Sequence, residues 1–175
     1  KDFNIVKTYY GIDIQLMVYM EAAMKLVAKM RPGKNVIPAG VFYYNISDPI
    51  VSATTESAEE IEDKIKGELR LKGMVNSDKD IVEKMDNTEG TSLNIPVSRK
   101  ADGGFDSRRS KVMNTEQFNM LGRFVDVRAV DTADRIAGGD IRRSPYKDGQ
   151  FSSCDRCPYG AVCGLSLIHI SEPTT

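Results

Sequence analysis

The apolar positions of this chain follow two kinds of spacing, and their alternation along the sequence predicts a mixed α/β domain. Residues 12–30, IDIQLMVYMEAAMKLVAKM, are rich in Leu, Met and Ala and stop at Arg31-Pro32-Gly33. With no internal Gly or Pro they form the strongest helix candidate. Apolar residues lie on most of its sides, as in a helix packed well inside a larger body. Residues 36–46, VIPAGVFYYNI, have the β-branched and aromatic composition of a buried strand, and Pro38 places its start near a sheet edge or at the strand's first residues. After a Ser/Thr-rich loop, SATTES, the fourfold spacing of Ile61, Ile65 and Leu69 predicts an amphipathic helix over about 57–71. Asp80 to Met85 reads as one more short helix. Residues 91–98 and 109–113 flank ADGGFD and read as a hairpin, because Asp102-Gly103 supplies the positive φ angles such turns require. Asn114 or Thr115 caps a helix over 116–137 whose buried side carries Phe118, Leu121, Val125 and Ile136. Gly138-Gly139 ends it. A short extended piece, IRRSPY, leads into three cysteines. Helix, strand, helices, hairpin, helix and strand in that order give a mixed sheet flanked by helices.

Composition changes this picture little. At 175 residues, with 41% hydrophobic and 28% charged residues, the chain has the size and make-up of one globular domain. No apolar run reaches the 18 residues of a membrane span. The opening, KDFNIVKTYYG, has neither Met nor a signal-peptide core and is expected to be the interior of a longer protein. Net charge is −1, but its distribution is uneven: residues 45–96 carry a balance of −6 and residues 97–147 one of +4. The basic stretch holds the pairs Arg108-Arg109 and Arg142-Arg143. On charge alone it reads as a solvated face; its other reading is a track for a phosphate backbone.

The candidate chemistry is concentrated in sulfur. Cys154, Cys157 and Cys163 form a C-x2-C-x5-C pattern. An odd number within ten residues argues against a disulfide framework, and thiolates at this spacing select zinc or an iron–sulfur cluster. Four protein ligands are usual for either centre, so a fourth donor lies outside the chain or is not a cysteine. His169 would complete a zinc site, but Leu165–Thr174 looks like a translated sequencing adapter, which makes residues 165–175 a foreign tail.

A second constellation is Gln15-x3-Tyr19, an amide and a phenol on one face of the first long helix. Alone it is a weak signal, since both groups can simply satisfy neighbouring backbone or face water. Metal-dependent nuclease chemistry needs carboxylates, usually with a nearby Lys. The acid-x-Lys triplet Glu62-Asp63-Lys64 is a decoy, because two helical residues apart the side chains diverge by about 200°. The sequence contains no P-loop and no G-x-G-x-x-G.

Taken together, YYGIDIQLMVYMEAA, GELRLKGMVNSD, GGDIRRSPY and CDRCPYGAVC resemble the carboxyl-terminal nuclease domain of the AddB family, the B-type subunits of ATP-dependent helicase/deoxyribonucleases, from Lys1 to about Gly164. The resemblance implies a partial restriction-endonuclease-like, RecB-like PD-(D/E)xK fold. It implies that Gln15 and Tyr19 line the nuclease centre. It also implies that Cys154, Cys157 and Cys163 supply three of four ligands to a 4Fe–4S cluster that staples the domain, the fourth being a Cys further upstream. Mg2+ would serve the intact nuclease site. The partners implied are double-stranded DNA ends, single-stranded DNA and the A-type helicase–nuclease subunit in a heterodimer. The setting would be cytoplasmic, and the role ATP-dependent degradation of DNA ends during recombinational repair. The acid-x-Lys strand, with a His, an Asp and the first Cys, would precede Lys1, so the chain alone is expected not to cleave. Two other readings stand beside this one: a CRISPR-associated exonuclease of the same fold, and a non-catalytic, zinc-stapled nucleic-acid-binding module.

Overall fold

A computed structural model describes residues 2–46, 49, 57–149 and 151–164. The SATTES loop apart from Ser57, the residues 165–175 and His169 with them lie outside the described residues. The chain divides into two compact units, Lys1–Val130 and Asp131–Thr175.

The first unit opens with α1 (Ile5–Tyr9), which the sequence pattern does not predict. Asn4 caps it, its side chain accepting the Lys7 N–H at 3.0 Å. The buried Thr8 hydroxyl donates to carbonyls on both sides, Asn4 O and Asp13 O, so α1 turns directly into α2 (Gln15–Met30). Strand β1 (Gly40–Tyr43) is much shorter than the predicted 36–46 and starts two residues after Pro38. Helix α3 (Ala58–Leu69) starts with a capping box in which Ser57 and Glu60 satisfy each other's backbone N–H. Strand β2 (Lys72–Asn76), helix α4 (Lys79–Met85), strand β3 (Val112–Met113) and helix α5 (Thr115–Ala137) follow. Asn114 and Gln117 bond each other's backbone N–H at 2.9 and 2.8 Å, which fixes the start of α5 at the expected cap.

The sheet has the order β1-β2-β3, antiparallel between β1 and β2 and parallel between β2 and β3. Its central strand is the one the sequence hides. Of KGMVN only Met74 and Val75 are apolar, while Gly73 sits where the backbones crowd: a Cβ there would stand 1.9 Å from the Val41 carbonyl oxygen. Alternation along the strands sends side chains to opposite faces. Val41, Tyr43, Met74 and Met113 join Met17, Met20, Phe118 and Val125 in one core with α2 and α5. Phe42, Val75 and Val112 join Val82 of α4 with Ile95, Val97 and Phe105 in a second core on the other face. Helices α2 and α5 come close enough that a Cβ on Gly122 would collide with the Glu21 carboxylate, and one turn further along Lys25 pairs with Asp126 at 2.8 Å.

Three expectations are corrected. Helix α2 is not enclosed: only Met17 and Met20 are buried, and Leu26, Val27 and Met30 are exposed. The predicted hairpin of 91–98 with 109–113 does not form. Instead 91–98 folds back on itself through the Thr91–Ser98 bridge, Arg99 pairs with Phe105 around the expected turn, and Val112-Met113 joins β2. Pro96 has no N–H to extend a ladder, and Asp106 turns the chain away by accepting the N–H groups of Arg108 and Arg109. Ile136 is 73% exposed, so the buried side of α5 ends at Val125.

In the second unit, Gly139 (φ +73°) makes the turn that stops α5. A two-stranded hairpin of β4 (Lys147–Asp148) and β5 (Phe151–Ser152) and the four-residue helix α6 (Gly160–Cys163) follow the extended segment 141–146.

Candidate functional site

Gln15 and Tyr19 meet as the i, i+4 spacing requires. The Gln15 amide Nε2 donates to the Tyr19 hydroxyl at 2.8 Å, and Tyr19 is 60% exposed. Helix α2 is anchored by its methionine seam, which leaves this pair facing outward on a fixed backbone. The amide oxygen of Gln15 and the hydroxyl proton of Tyr19 remain free to engage an incoming polar group, such as a phosphate oxygen or a water. Neither is a carboxylate, the ligand a hard divalent cation prefers. The decoy triplet behaves as its helix dictates: Glu62 pairs with Lys66 at 2.9 Å along α3.

The cysteine segment is built from short local hydrogen bonds. Ser152 accepts the Cys154 N–H at 3.1 Å, and its own N–H donates to the Asp155 carboxylate at 2.8 Å. The Cys157 N–H donates to the Cys154 carbonyl and the Cys163 N–H to the Tyr159 carbonyl, at 3.1 and 2.9 Å. All three thiols are free, Cys157 exposed and the others half-buried. Among the described residues, no three His, Cys, Asp or Glu side chains gather as they would round a single metal ion. The donor chemistry nevertheless fits an iron–sulfur cluster. In a four-iron cluster each iron takes one thiolate, so the sulfurs surround a body larger than one ion, and three soft, unpaired donors on one short segment meet that need in kind.

The approach to this segment, GGDIRRSPY, holds a knot of charge of which the sequence shows only the paired arginines. Asp140 accepts from Arg135 Nε at 2.8 Å and from Arg142 Nε and Nη2 at 2.9 and 2.7 Å. The hydrogen bonds from Arg142, and then from Arg135, hold its carboxyl well below the usual carboxylate range. Arg143 turns the other way and donates to the Cys163 carbonyl. The backbone before the cysteines is thereby tied to the third cysteine, a link at which only the Asp-x-Arg-Arg spacing hints.

The GELRLKGMVNSD segment is architectural. Arg70 donates to the Ile95 and Val97 carbonyls at 2.9 and 3.3 Å. The fully buried Asn76 amide donates to Pro38 O at 2.7 Å and Thr115 Oγ1 at 2.8 Å and accepts the Asp78 N–H at 2.9 Å. One side chain thus joins the entry to β1, the start of α5 and the cap of α4.

The model of a family described as "PD-(D/E)XK nuclease superfamily" matches residues 1–164. The chain is also similar to curated proteins whose names make them the B-type subunit of an ATP-dependent helicase/deoxyribonuclease. The one from Clostridium botulinum strain Hall is 38% identical over 165 residues, 93% of this chain and 14% of that protein. Those from Thermoanaerobacter sp. strain X514 and Caldanaerobacter subterraneus subsp. tengcongensis are 35% and 37% identical over the same shares. The chain therefore spans about 14% of the length of the relatives it matches.

Proposed function

This chain belongs to the PD-(D/E)XK nuclease superfamily, and from that premise we propose that residues 1–164 are the carboxyl-terminal part of the nuclease domain of a helicase–nuclease of the B type. In this reading the intact protein hydrolyses phosphodiester bonds with Mg2+ and degrades double-stranded DNA ends during recombinational repair, driven by ATP. It works in the cytoplasm with an A-type helicase–nuclease partner and handles single-stranded DNA as unwinding exposes it. Residues 165–175 are a foreign tail.

The superfamily match supports this most strongly, because it runs through both the Gln15–Tyr19 pair and all three cysteines. Gln15 and Tyr19 line the nuclease centre, where the amide and the phenol orient the scissile phosphate or the attacking water. The divalent ion is held by carboxylates of an acid-x-Lys strand that is not among these residues, and it supplies Lewis-acid stabilisation and an activated water when bound. Cys154, Cys157 and Cys163 hold three irons of a 4Fe–4S cluster whose fourth ligand is a Cys elsewhere in the parent protein. The cluster contributes folding free energy, as bound structural metals do. Arg143, bonded to the Cys163 carbonyl, keeps the third ligand's segment in place.

The test is a side-by-side assay on linear duplex DNA with Mg2+ and ATP. The intact protein with its partner is expected to degrade the DNA, and the purified 175-residue chain to leave it whole. Degradation by the chain alone would overturn the division of the site between this chain and carboxylates outside it.

A further inference from the structure

On the face of the sheet away from α2, a cavity of about 640 Å³ opens between α4 and the turn that joins Arg99 to Phe105. That volume lies within the range of small-ligand sites. Val82 and Phe105 line its apolar part and belong to the second core, so its floor is fixed by packing. Its rim is cationic on the turn side, with Arg99 and Lys100, and Lys79 of α4 faces them. Lys79 reaches across: its Nζ lies 3.0 Å from where a Cβ on Gly103 would stand. Gly103 itself is held at φ +76°, so only glycine both makes this turn and leaves room for the ammonium. Arg99 is fixed by donating to the Asp86 carbonyl. Glu83, one turn along α4 from Lys79, and Glu89, next to the Gly90 carbonyl that accepts the Arg99 N–H, also line the cavity, so its three cations face two carboxylates and keep a formal excess of one positive charge.

An aromatic ring recessed between cations suits a flat ring carrying a phosphate. We infer that this cavity is an accessory site for one nucleotide of a single DNA strand, the base resting on Phe105 and the flanking phosphates held by Lys79 and Lys100. A duplex keeps its bases stacked and cannot reach a recessed ring, whereas a single strand can turn one base inward. The basic stretch around the turn, with Arg108 and Arg109 exposed next to Asp106, extends the track for the backbone. The site is distinct from the Gln15–Tyr19 pair, whose helix packs on the opposite sheet face. It rests on the nuclease reading only for the choice of DNA as the polymer.

The experiment is fluorescence anisotropy of a labelled decathymidylate with the 175-residue chain over a range of salt. Lys79→Glu/Lys100→Glu changes two exposed side chains and is expected to weaken binding at least tenfold. The same variant should flatten the log–log salt dependence by about 1.4, the slope that two phosphate contacts carry on a single strand. Phe105→Leu keeps the floor apolar but removes the ring and should weaken binding several-fold. Binding by the double variant within twofold of the unaltered chain would overturn the inference. So would the absence of any binding by the unaltered chain, or equal competition by unlabelled duplex. None of these results bears on cleavage through Gln15 and Tyr19, which is tested separately in the intact protein.

Discussion

Burial of Asp86 opposes its charge, yet hydrogen bonds from Ser92, Thr88 and Asn94 together outweigh it and bring its pKa down from the ordinary 3.8 to about 2. The Ser92 hydroxyl is closest, at 2.6 Å, and that same oxygen accepts the N–H groups of Asn94 and Ile95. Asp86 thus organises the irregular stretch that replaces the predicted hairpin. Because its folded pKa is depressed, its stabilisation is complete above pH 3.8 and is lost as pH falls towards 2. Asp86→Ala should lower unfolding stability by about 2 kcal/mol at neutral pH, as loss of hydrogen bonds to a charged, buried group does. Urea titrations at neutral and acid pH would check it; the variant should also lose less stability than the unaltered chain over the acid range, and equal losses would refute the role. Nothing in the linear pattern singles out Asp86, since its partners are loop residues brought round by tertiary turns. The pairing of Gln15 with Tyr19, by contrast, is fully legible, because helical geometry alone dictates it.

Among the elements, the helices are the most readable and the sheet the least. The cap at Asn114 announces α5, and the helical spacing of Ile61, Ile65 and Leu69 announces α3. The central strand β2 is hidden because its place is set by a glycine that permits close approach and an asparagine that satisfies buried backbone, neither of which favours strands by itself. The two-residue strand β3 pairs differently from the expected hairpin because its parallel neighbour lies far back in the sequence, whereas turn chemistry reports only nearby pairing. The exposure of Leu26, Val27 and Met30 escapes the pattern because apolar residues on most sides of a helix do not say which of those sides this chain itself covers. The cysteine segment is too short to have packed strength of its own and is held by the local bonds of Ser152 and Asp155 and by Arg143. Cys157→Ser in the anaerobically purified intact protein is expected to lose most of its iron, together with the visible absorbance of thiolate-bound iron. Iron-free unaltered protein with stoichiometric zinc would refute the cluster.

For the whole molecule, fold class and family are readable because motifs at several places agree in order, even where individual elements are misplaced. What the sequence does not convey is the division of labour between the sheet faces. One face carries the helix with the Gln15–Tyr19 pair; the other carries a cavity around Phe105 lined by three cations and two carboxylates. That division arises from strand alternation in a sheet whose middle member has no sequence signature. The similarity to the relatives spans nearly all of this chain but about 14% of their length, so function is best tested where the rest of the protein is present. The most direct measurement follows DNA degradation and ATP hydrolysis together in the intact protein with its partner, comparing Tyr19→Phe and Gln15→Ala with the unaltered protein. Tyr19 is exposed, so folding should be unchanged. Degradation is expected to fall about tenfold or more, as when a positioned hydrogen-bonding group is removed from a reacting phosphate, while ATP hydrolysis persists. Undiminished degradation by both variants would contradict the placement of this helix in the nuclease centre.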